Sequence, residues 1–294
     1  MEKALTEKTL TRLVEKVDHK YYGKYRGIVV DNNDPEKLGR LKVKVPSVLG
    51  NDVVTGWAMP CLPYGGIANQ GFLAIPEIDA GVWVEFEAGD LEYPVWVGTY
   101  WGKPGGESEL PKPNQADGSE DSSVQEPPTR KIMKTKQGHT IQLEDKEGEE
   151  MVLIVEAVNG EVITMDKNGI KITDGANSHE VALNGSGISV SDGVNSHEVA
   201  LSGEGISIQD GTNQHSVVLN AQGVKAETQT GATVNLTASG VTVDAGPGIV
   251  EVKGSLIKLS SSASLPVIRV TDQGVGNLGA PVVMLPPGNP TVLA

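Results

Sequence analysis

The spacing of apolar side chains changes as the chain proceeds. Residues 1 to 20 place Leu10, Leu13, Val14 and Val17 at helical intervals among Glu and Lys, which predicts a short amphipathic helix, a docking arm or lid. From Tyr22 the period is two. Ile28 and Val30, Leu41, Val43 and Val45, Val82, Val84 and Phe86, and Val95 and Val97 form runs bounded by Gly, Pro or Asn-Asp clusters. This predicts a small all-β barrel over 21–101. Residues 102–130 are rich in Pro, Gly, Ser and acidic groups between Pro104-Gly105-Gly106 and Pro127-Pro128, the composition of an extended linker. Strand patterns then resume at Thr140–Leu143, Val152–Val155 and Val162–Met165, separated by turn signals at Asn159-Gly160 and Asn168-Gly169.

A repeat follows. Asp174-Gly175-Ala176-Asn177-Ser178-His179-Glu180-Val181-Ala182-Leu183 recurs from Asp192 and, as a variant, from Asp210, each copy 18 residues after the last. Each copy leads into a glycine and a short apolar run, as at Gly187-Ile188-Ser189-Val190, so the unit is strand, turn, strand, turn. Alternate strand residues face opposite sides, which puts Ile188 with Val190 and His197 with Val199 and Leu201. A fourth, degraded copy keeps Val234 and Leu236 and lacks the histidine. The apolar pair is therefore the structural constant. A ribbon of short hairpins with one apolar face is marginal alone, and three ribbons wound about a common axis cover all three faces. The expectation is a homotrimeric β-prism or triple-stranded β-helix over 131–264. A single-chain parallel solenoid would show longer coils with aromatic or Asn ladders, and these are missing.

Composition sharpens the division. All twelve aromatic residues lie between Tyr21 and Trp101, so the remainder cannot build an aromatic-anchored core and must stabilise itself by repetition. The net charge of −14 is spread over both halves with no basic stripe, which argues against nucleic acid and anionic membranes as partners. Trp57, Trp83, Trp96 and Tyr100 are accordingly assigned to barrel core and subunit contacts rather than to base stacking. Cys61 is the single cysteine, which excludes an internal disulfide and reads as a small buried thiol. No signal-like or membrane-spanning apolar run is visible, so synthesis in the cytoplasm is expected.

Candidate chemistry is sparse. Three copies each of His179, His197 and His215 around a three-fold axis would make rings of nitrogen ligands for an axial ion. The preferred reading packs each at a hairpin edge, bonded to a neighbouring Asn or backbone group. Asp174, Asp192 and Asp210 before glycine fit tight hairpin turns better than calcium loops, because the Gly-Gly-x-Gly-x-Asp pattern is lacking. Glu144, Asp145, Glu147, Glu149 and Glu150 read as a solvated loop face rather than a glycosidase pair. No catalytic triad, phosphate loop or dinucleotide fingerprint occurs, so no catalytic residue and no cofactor is expected and the chain is read as a non-enzyme.

Gly27 to Val30, Asp31-Asn32-Asn33-Asp34-Pro35-Glu36-Lys37-Leu38-Gly39-Arg40, the Leu41 to Pro46 strand, Trp57-Ala58-Met59-Pro60, Pro76 to Val84 and Gly89-Asp90 to Gly98 together resemble the OB-fold domain of contractile-tail spike proteins. That family covers the central baseplate spike of contractile phage tails, tailocins, related extracellular injection systems and the type VI secretion spike. The resemblance spans roughly residues 21–260 and implies an OB fold followed by a triple-stranded β-helix needle. It implies a structural, membrane-piercing spike in a virion tail or extracellular injection particle, seated on a separate baseplate hub and driven through the target cell envelope. The large hub domain fused to type VI spikes is expected to be a separate protein, and the linker reads as too short for an inserted lysozyme domain. Residues 265–294 look like a PAAR tip, with Pro281, Leu285, Pro286, Pro287, Gly288, Asn289 and Pro290 as its elements. Asn289 stands where that family often carries Cys, so its zinc site is expected to be lost; a separate tip protein is a further expected partner. The runner-up is a trimeric receptor-binding or polysaccharide-degrading tail fibre, which would need carbohydrate-stacking aromatics that the repeats lack.

Overall fold

The computed structural model describes residues 20–122 and 128–253, the helical residues Thr9, Thr11 and Val14, and two short paired strands, Gln273–Val275 and Pro281–Val283. Of the predicted N-terminal helix, Leu10, Leu13 and Val17 lie outside the described residues. So do the tip positions Leu285 to Pro290, while Pro281 opens the last strand. Among the described residues the regular elements are almost all strands, and the chain divides into two units, Met1–Glu147 and Gly148–Ala294.

The first unit holds a curled five-stranded sheet: β1 (Tyr25–Asp31), β2 (Lys42–Lys44), β3 (Met59–Pro60), β4 (Gly81–Phe86) and β5 (Pro94–Thr99), in the order β2-β1-β4-β5-β3. The two ends of that order meet. Leu41, just before β2, exchanges backbone hydrogen bonds with Ala58, just before β3 (3.1 and 2.7 Å), which closes the sheet into a barrel. Closure removes free edges. The interior is filled by Val29, Leu41, Val43, Val45, Ala58, Val82, Val84, Phe86 and Trp96. In β1 the inward residues are Gly27 and Val29, and Ile28 and Val30 face out; in β5 Pro94 and Trp96 face in, and Val95 and Val97 lie on the outer side. Runs such as Ile28-Val29-Val30 are apolar on both parities, so alternation there does not say which side is core. Of Trp57, Trp83, Trp96 and Tyr100, only Trp96 enters the core, beside Phe86. Trp83 and Tyr100 lie on the outer face beneath Arg26, and Trp57 lies beneath Lys42. Cys61 is exposed, contrary to expectation, because it continues the β3–β5 ladder, its N–H donating to Trp96 O (2.9 Å), with the outward parity of the exposed Met59.

The Asn-x-Asp-Pro-x-x-Leu-Gly-Arg stretch is a loop organised by one carboxylate. Asp34 accepts from the backbone N–H of Glu36 (3.0 Å) and Leu38 (2.7 Å) and is gripped by Arg40 through Nε and Nη2, at 3.1 and 2.7 Å. The guanidinium, aided by those N–H donors, holds the Asp34 carboxyl far below the usual carboxylate range. Gly39 takes a left-handed φ of 76°, and its carbonyl accepts from the Trp96 indole, tying loop to core.

Part of the stretch read as an extended linker is folded. Residues 113–121 make a tight turn in which Gln115 N–H donates to Ser119 O and Asp121 N–H to Pro113 O. This turn straps one side of a hairpin, β6 (Arg130–Lys134) and β7 (Thr140–Glu144). The fully buried Gln142 amide accepts from Asn114 N–H (2.8 Å) and donates to Asn114 O (2.9 Å), as a neighbouring strand would. Glu144 is buried against Arg130, whereas Asp145, Glu147, Glu149 and Glu150 form the expected exposed face.

The second unit is an antiparallel meander in which successive strands pair in chain order: β8 (Met151–Glu156), β9 (Glu161–Asp166), β10 (Gly169–Thr173), β11 (Glu180–Asn184), β12 (Gly187–Ser191), β13 (Glu198–Ser202), β14 (Gly205–Asp210), β15 (His215–Asn220), β16 (Gly223–Glu227), β17 (Thr233–Thr237) and β18 (Gly240–Asp244). Two kinds of turn alternate. The short one pairs Ser202 with Gly205 across two residues. There the strands approach so closely that a Cβ on Gly205 would sit 2.0 Å from Leu219 O, and its φ of 136° favours glycine independently.

The longer turn corrects the tight Asp-Gly hairpin expected from sequence. In the second copy Asp192 N–H donates to His197 O (2.8 Å) and Ser196 N–H to Asp192 O (2.9 Å), and the left-handed residue is Ser196, at φ 57°. Asp192 Oδ1 caps the N–H of Val194 and Asn195, and Oδ2 accepts from Asn195 Nδ2. Gly193 serves stacking instead. A Cβ there would lie 2.3 Å from Ser178 O of the previous copy, and Gly175 and Gly211 repeat the contact. The third glycine of the set meets Ser196 O at 2.2 Å, so the loops lie directly on one another.

Candidate functional site

The chain's candidate functional site is a surface. Following the registers from β8 to β18, one face carries two columns of side chains. The first is Val152, Met165, Ile170, Leu183, Ile188, Leu201, Ile206, Leu219, Val224, Leu236 and Val241; the second is Ile154, Ile163, Ile172, Val181, Val190, Val199, Ile208, Val217, Ala226, Val234 and Val243. Every member is apolar and the columns have no gap. Within one chain they are uncovered: Ile188 is 43% exposed, Leu201 42%, Ile208 48% and Val243 54%. Contiguous apolar surface of this extent marks an interaction site.

The opposite face is different in kind. Along the repeats it carries Ala182, Ser189, Ala200 and Ser207 and then Val218, Lys225, Asn235 and Thr242, mostly small or polar residues, and only in β8 and β9 is it apolar, where Leu153, Val155 and Val162 form a small buried cluster. The hairpin β6–β7 shows the same inversion more sharply. Its buried residues are Thr140, Gln142 and Glu144, beneath the strap, while Met133, Ile141 and Leu143 are exposed. A chain that covers its polar side with its own segment and leaves the apolar side open has its hydrophobic partner in another molecule.

The histidines lie beside this stripe. His179, His197 and His215 are all exposed. Nδ1 of His197 accepts from Gly211 N–H (3.2 Å) and lies 3.2 Å from Asp210 Oδ1; Nδ1 of His179 lies 3.2 Å from Asp192 Oδ1, and that of His215 accepts from Gln229 N–H. Each imidazole thus addresses the loop of the following repeat. Successive copies are two strand spacings apart, about 9.6 Å, too far to share one ion within a chain. Among the described residues no group of three His, Cys, Asp or Glu is placed to hold a metal. The loop carboxylates are held below their ordinary range: Asp174 and Asp192 chiefly by the side chains of Asn177 and Asn195, and Asp210 first by the backbone N–H of Asn213.

Ile249 and Val250, with Val217, Ala226, Val234 and Val243, line an apolar cavity of about 590 Å³, and Ala226 is the smallest side chain in either column.

Alternation in the sequence identified the apolar pairs. It missed the strap on Gln142 and the stacking role of Gly175, Gly193 and Gly211, for which the only signal was glycine at one position in three copies.

Two comparisons bear on these surfaces. The OB domain of type VI secretion system and phage-baseplate injectors matches residues 25–101, the closed barrel. The phage baseplate V C-terminal trimerisation domain matches residues 131–212, from β6 through the second repeat. No curated protein matches the chain. The two matched stretches coincide with the barrel and with the strapped hairpin and open stripe, and the chain belongs to the family of contractile-injection baseplate spike proteins, an OB domain joined to a trimerising β-structure.

Proposed function

We propose that this chain is the rigid central spike of a contractile injection machine, three copies of which close their apolar stripes about one axis. The carrying observation is the pair of unbroken apolar columns from β8 to β18, which continue past residue 212, where the trimerisation match ends. In this reading the barrel end is seated on a separate hub protein, and the shaft transmits the force of sheath contraction into the target envelope. Its work is mechanical and not enzymatic. Many backbone hydrogen bonds shared among three chains resist local opening, and the acidic surface keeps the shaft from adhering to anionic polymers. The chain is made in the cytoplasm and carried out within the particle.

Light scattering on the purified chain tests the assembly, with three copies of 30.9 kDa expected. Electron microscopy of particles with and without the chain tests the place. Density for the spike on the tail axis supports the reading; lateral, fibre-like density or a measurable polysaccharide depolymerase activity overturns it.

A further inference from the structure

The loop between β3 and β4 is the least explained part of the barrel. It projects Tyr64 (59% exposed), Ile67 (71%), Phe72 (50%) and Leu73 (76%) into solvent. It is nevertheless ordered by its own bonds: Phe72 N–H donates to Tyr64 O at 3.1 Å and Tyr64 Oη to Gln70 Oε1 at 3.4 Å. A Cβ on Gly71 would lie 3.2 Å from Tyr64 O, so the two arms touch. An apolar loop held in one shape loses little entropy on docking.

Two further observations identify the occupant. The first is position. β1 and β5 finish, and β4 begins, at one end of the barrel, where Tyr100 N–H donates to Gly81 O and Val29 N–H to Ala80 O. The loop reaches β4 at that end. The chain also leaves the barrel there, one residue later at Trp101, on its way to the segment through which copies associate. The second is charge. No Asp, Glu, Lys, Arg or His occurs from Val53 to Pro76. Around a three-fold axis identical loops place like groups side by side, an arrangement that any charge would oppose.

We infer that the Tyr64–Leu73 loop packs against the same loop region of a second copy of this chain, so that the three barrels form a collar where their chains enter the shaft. The inference rests on the trimer proposed above. It adds a contact within the OB domains, upstream of the trimerisation segment.

The test uses the full chain with Cys61→Ser and a single probe cysteine, Ile67→Cys, and begins by measuring the mass. In the trimer the probe is expected to lose reactivity toward a soluble maleimide and to give interchain disulfide on mild oxidation. A second probe, Glu87→Cys at the opposite end of the barrel, is expected to label freely and form none. Adding Leu73→Asp is expected to leave the trimer intact and restore labelling at position 67. A trimer whose position 67 labels as freely as position 87 overturns the collar alone. Protection that arises only when a separate hub protein is added also overturns it, in favour of that partner. A monomeric chain overturns the shaft reading as well.

Discussion

The barrel and the meander solve the same problem in opposite ways. Both are built from short, mostly antiparallel strands with Val, Leu and Ile on one face; in the barrel only β3 runs parallel to its neighbour, β5. The barrel closes on itself, and Val29, Leu41, Val43, Val45, Val82 and Val84 are fully buried within one chain. Each such side chain contributes about 1.5–3 kcal/mol on leaving water. The meander never closes; its equivalents at Ile188, Leu201 and Ile208 remain close to half exposed until other copies arrive. Closure needs long loops and bulges, such as the shift between Val29 and Asp31, and these require a varied sequence. An open ladder needs only identical rungs, so its sequence can repeat. The barrel therefore stores its stability locally, and the shaft stores its stability in the assembly.

The two regions can be separated optically, because every tryptophan lies in the barrel segment and none in the shaft. The largest expected effect is from Leu201→Asp, which sets three carboxylates into the closed stripe: the mass falls from three chains to one while tryptophan emission stays native. The converse, Val43→Asp in the fully buried barrel core, is expected to red-shift tryptophan emission and leave the mass at three chains. If either variant abolished both signals together, the two regions would not be independent.

Arg40→Ala comes next, since it strips Asp34 of the guanidinium that grips it while leaving the shaft untouched. The barrel transition seen by fluorescence moves to lower temperature without loss of trimer. Arg40→Lys recovers only part of the loss, because an ammonium cannot offer Nε and Nη2 together. A smaller effect is expected in the shaft from Gly193→Ala, whose methyl meets Ser178 O; overpacking of this kind costs about 1–3 kcal/mol per copy. Gly203→Ala, where a Cβ meets nothing within 4 Å, is expected to leave the circular-dichroism melt unchanged or slightly raised. Equal destabilisation by both would remove the stacking explanation of the loop glycines.

The mildest perturbation is acid. Asp34 in the barrel and Asp174, Asp192 and Asp210 in the shaft all have folded carboxyls below their ordinary range. Their contribution is therefore present above the unfolded carboxylate range, about pH 4, and is lost as pH falls toward the lower folded values. Thermal melts from pH 7 downward are expected to stay flat and then to decline below about pH 4, in both regions. In a shaft with Asp192→Asn the decline should be shallower, because one of the titrating caps is gone.

Legibility in the sequence followed the same divide. In the repeats, parity alone grouped Ile188 with Val190 and Val199 with Leu201, because one face is apolar throughout and the other mostly small or polar; the structure then pairs Ile188 with Leu201 and Val190 with Val199. In the barrel the runs Ile28-Val29-Val30 and Val95-Trp96-Val97 are apolar on both faces, and only closure through Leu41 and Ala58 decides which side is interior. The Asp34 loop was recognisable as a motif, but its cause, one carboxylate holding several donors, depends on distances that spacing does not encode. The stripe could be predicted as a surface needing cover. The strap that turns Gln142 into a surrogate strand neighbour could not, since nothing in a Pro-rich acidic stretch says which strand it will bind.

The register of the loops carries a last consequence. Each 18-residue copy inserts one long turn, one short turn and two rungs, and returns the columns to the same face. The degraded copy shows where tolerance lies: Val234 follows Val217 by 17 residues, and the missing residue is absorbed between Glu227 and Thr233 without disturbing the column. Reach is therefore a digital property of this protein. Gene duplication or loss of a whole copy lengthens or shortens the spike by one step of about 9.6 Å, with no other part of the molecule having to change.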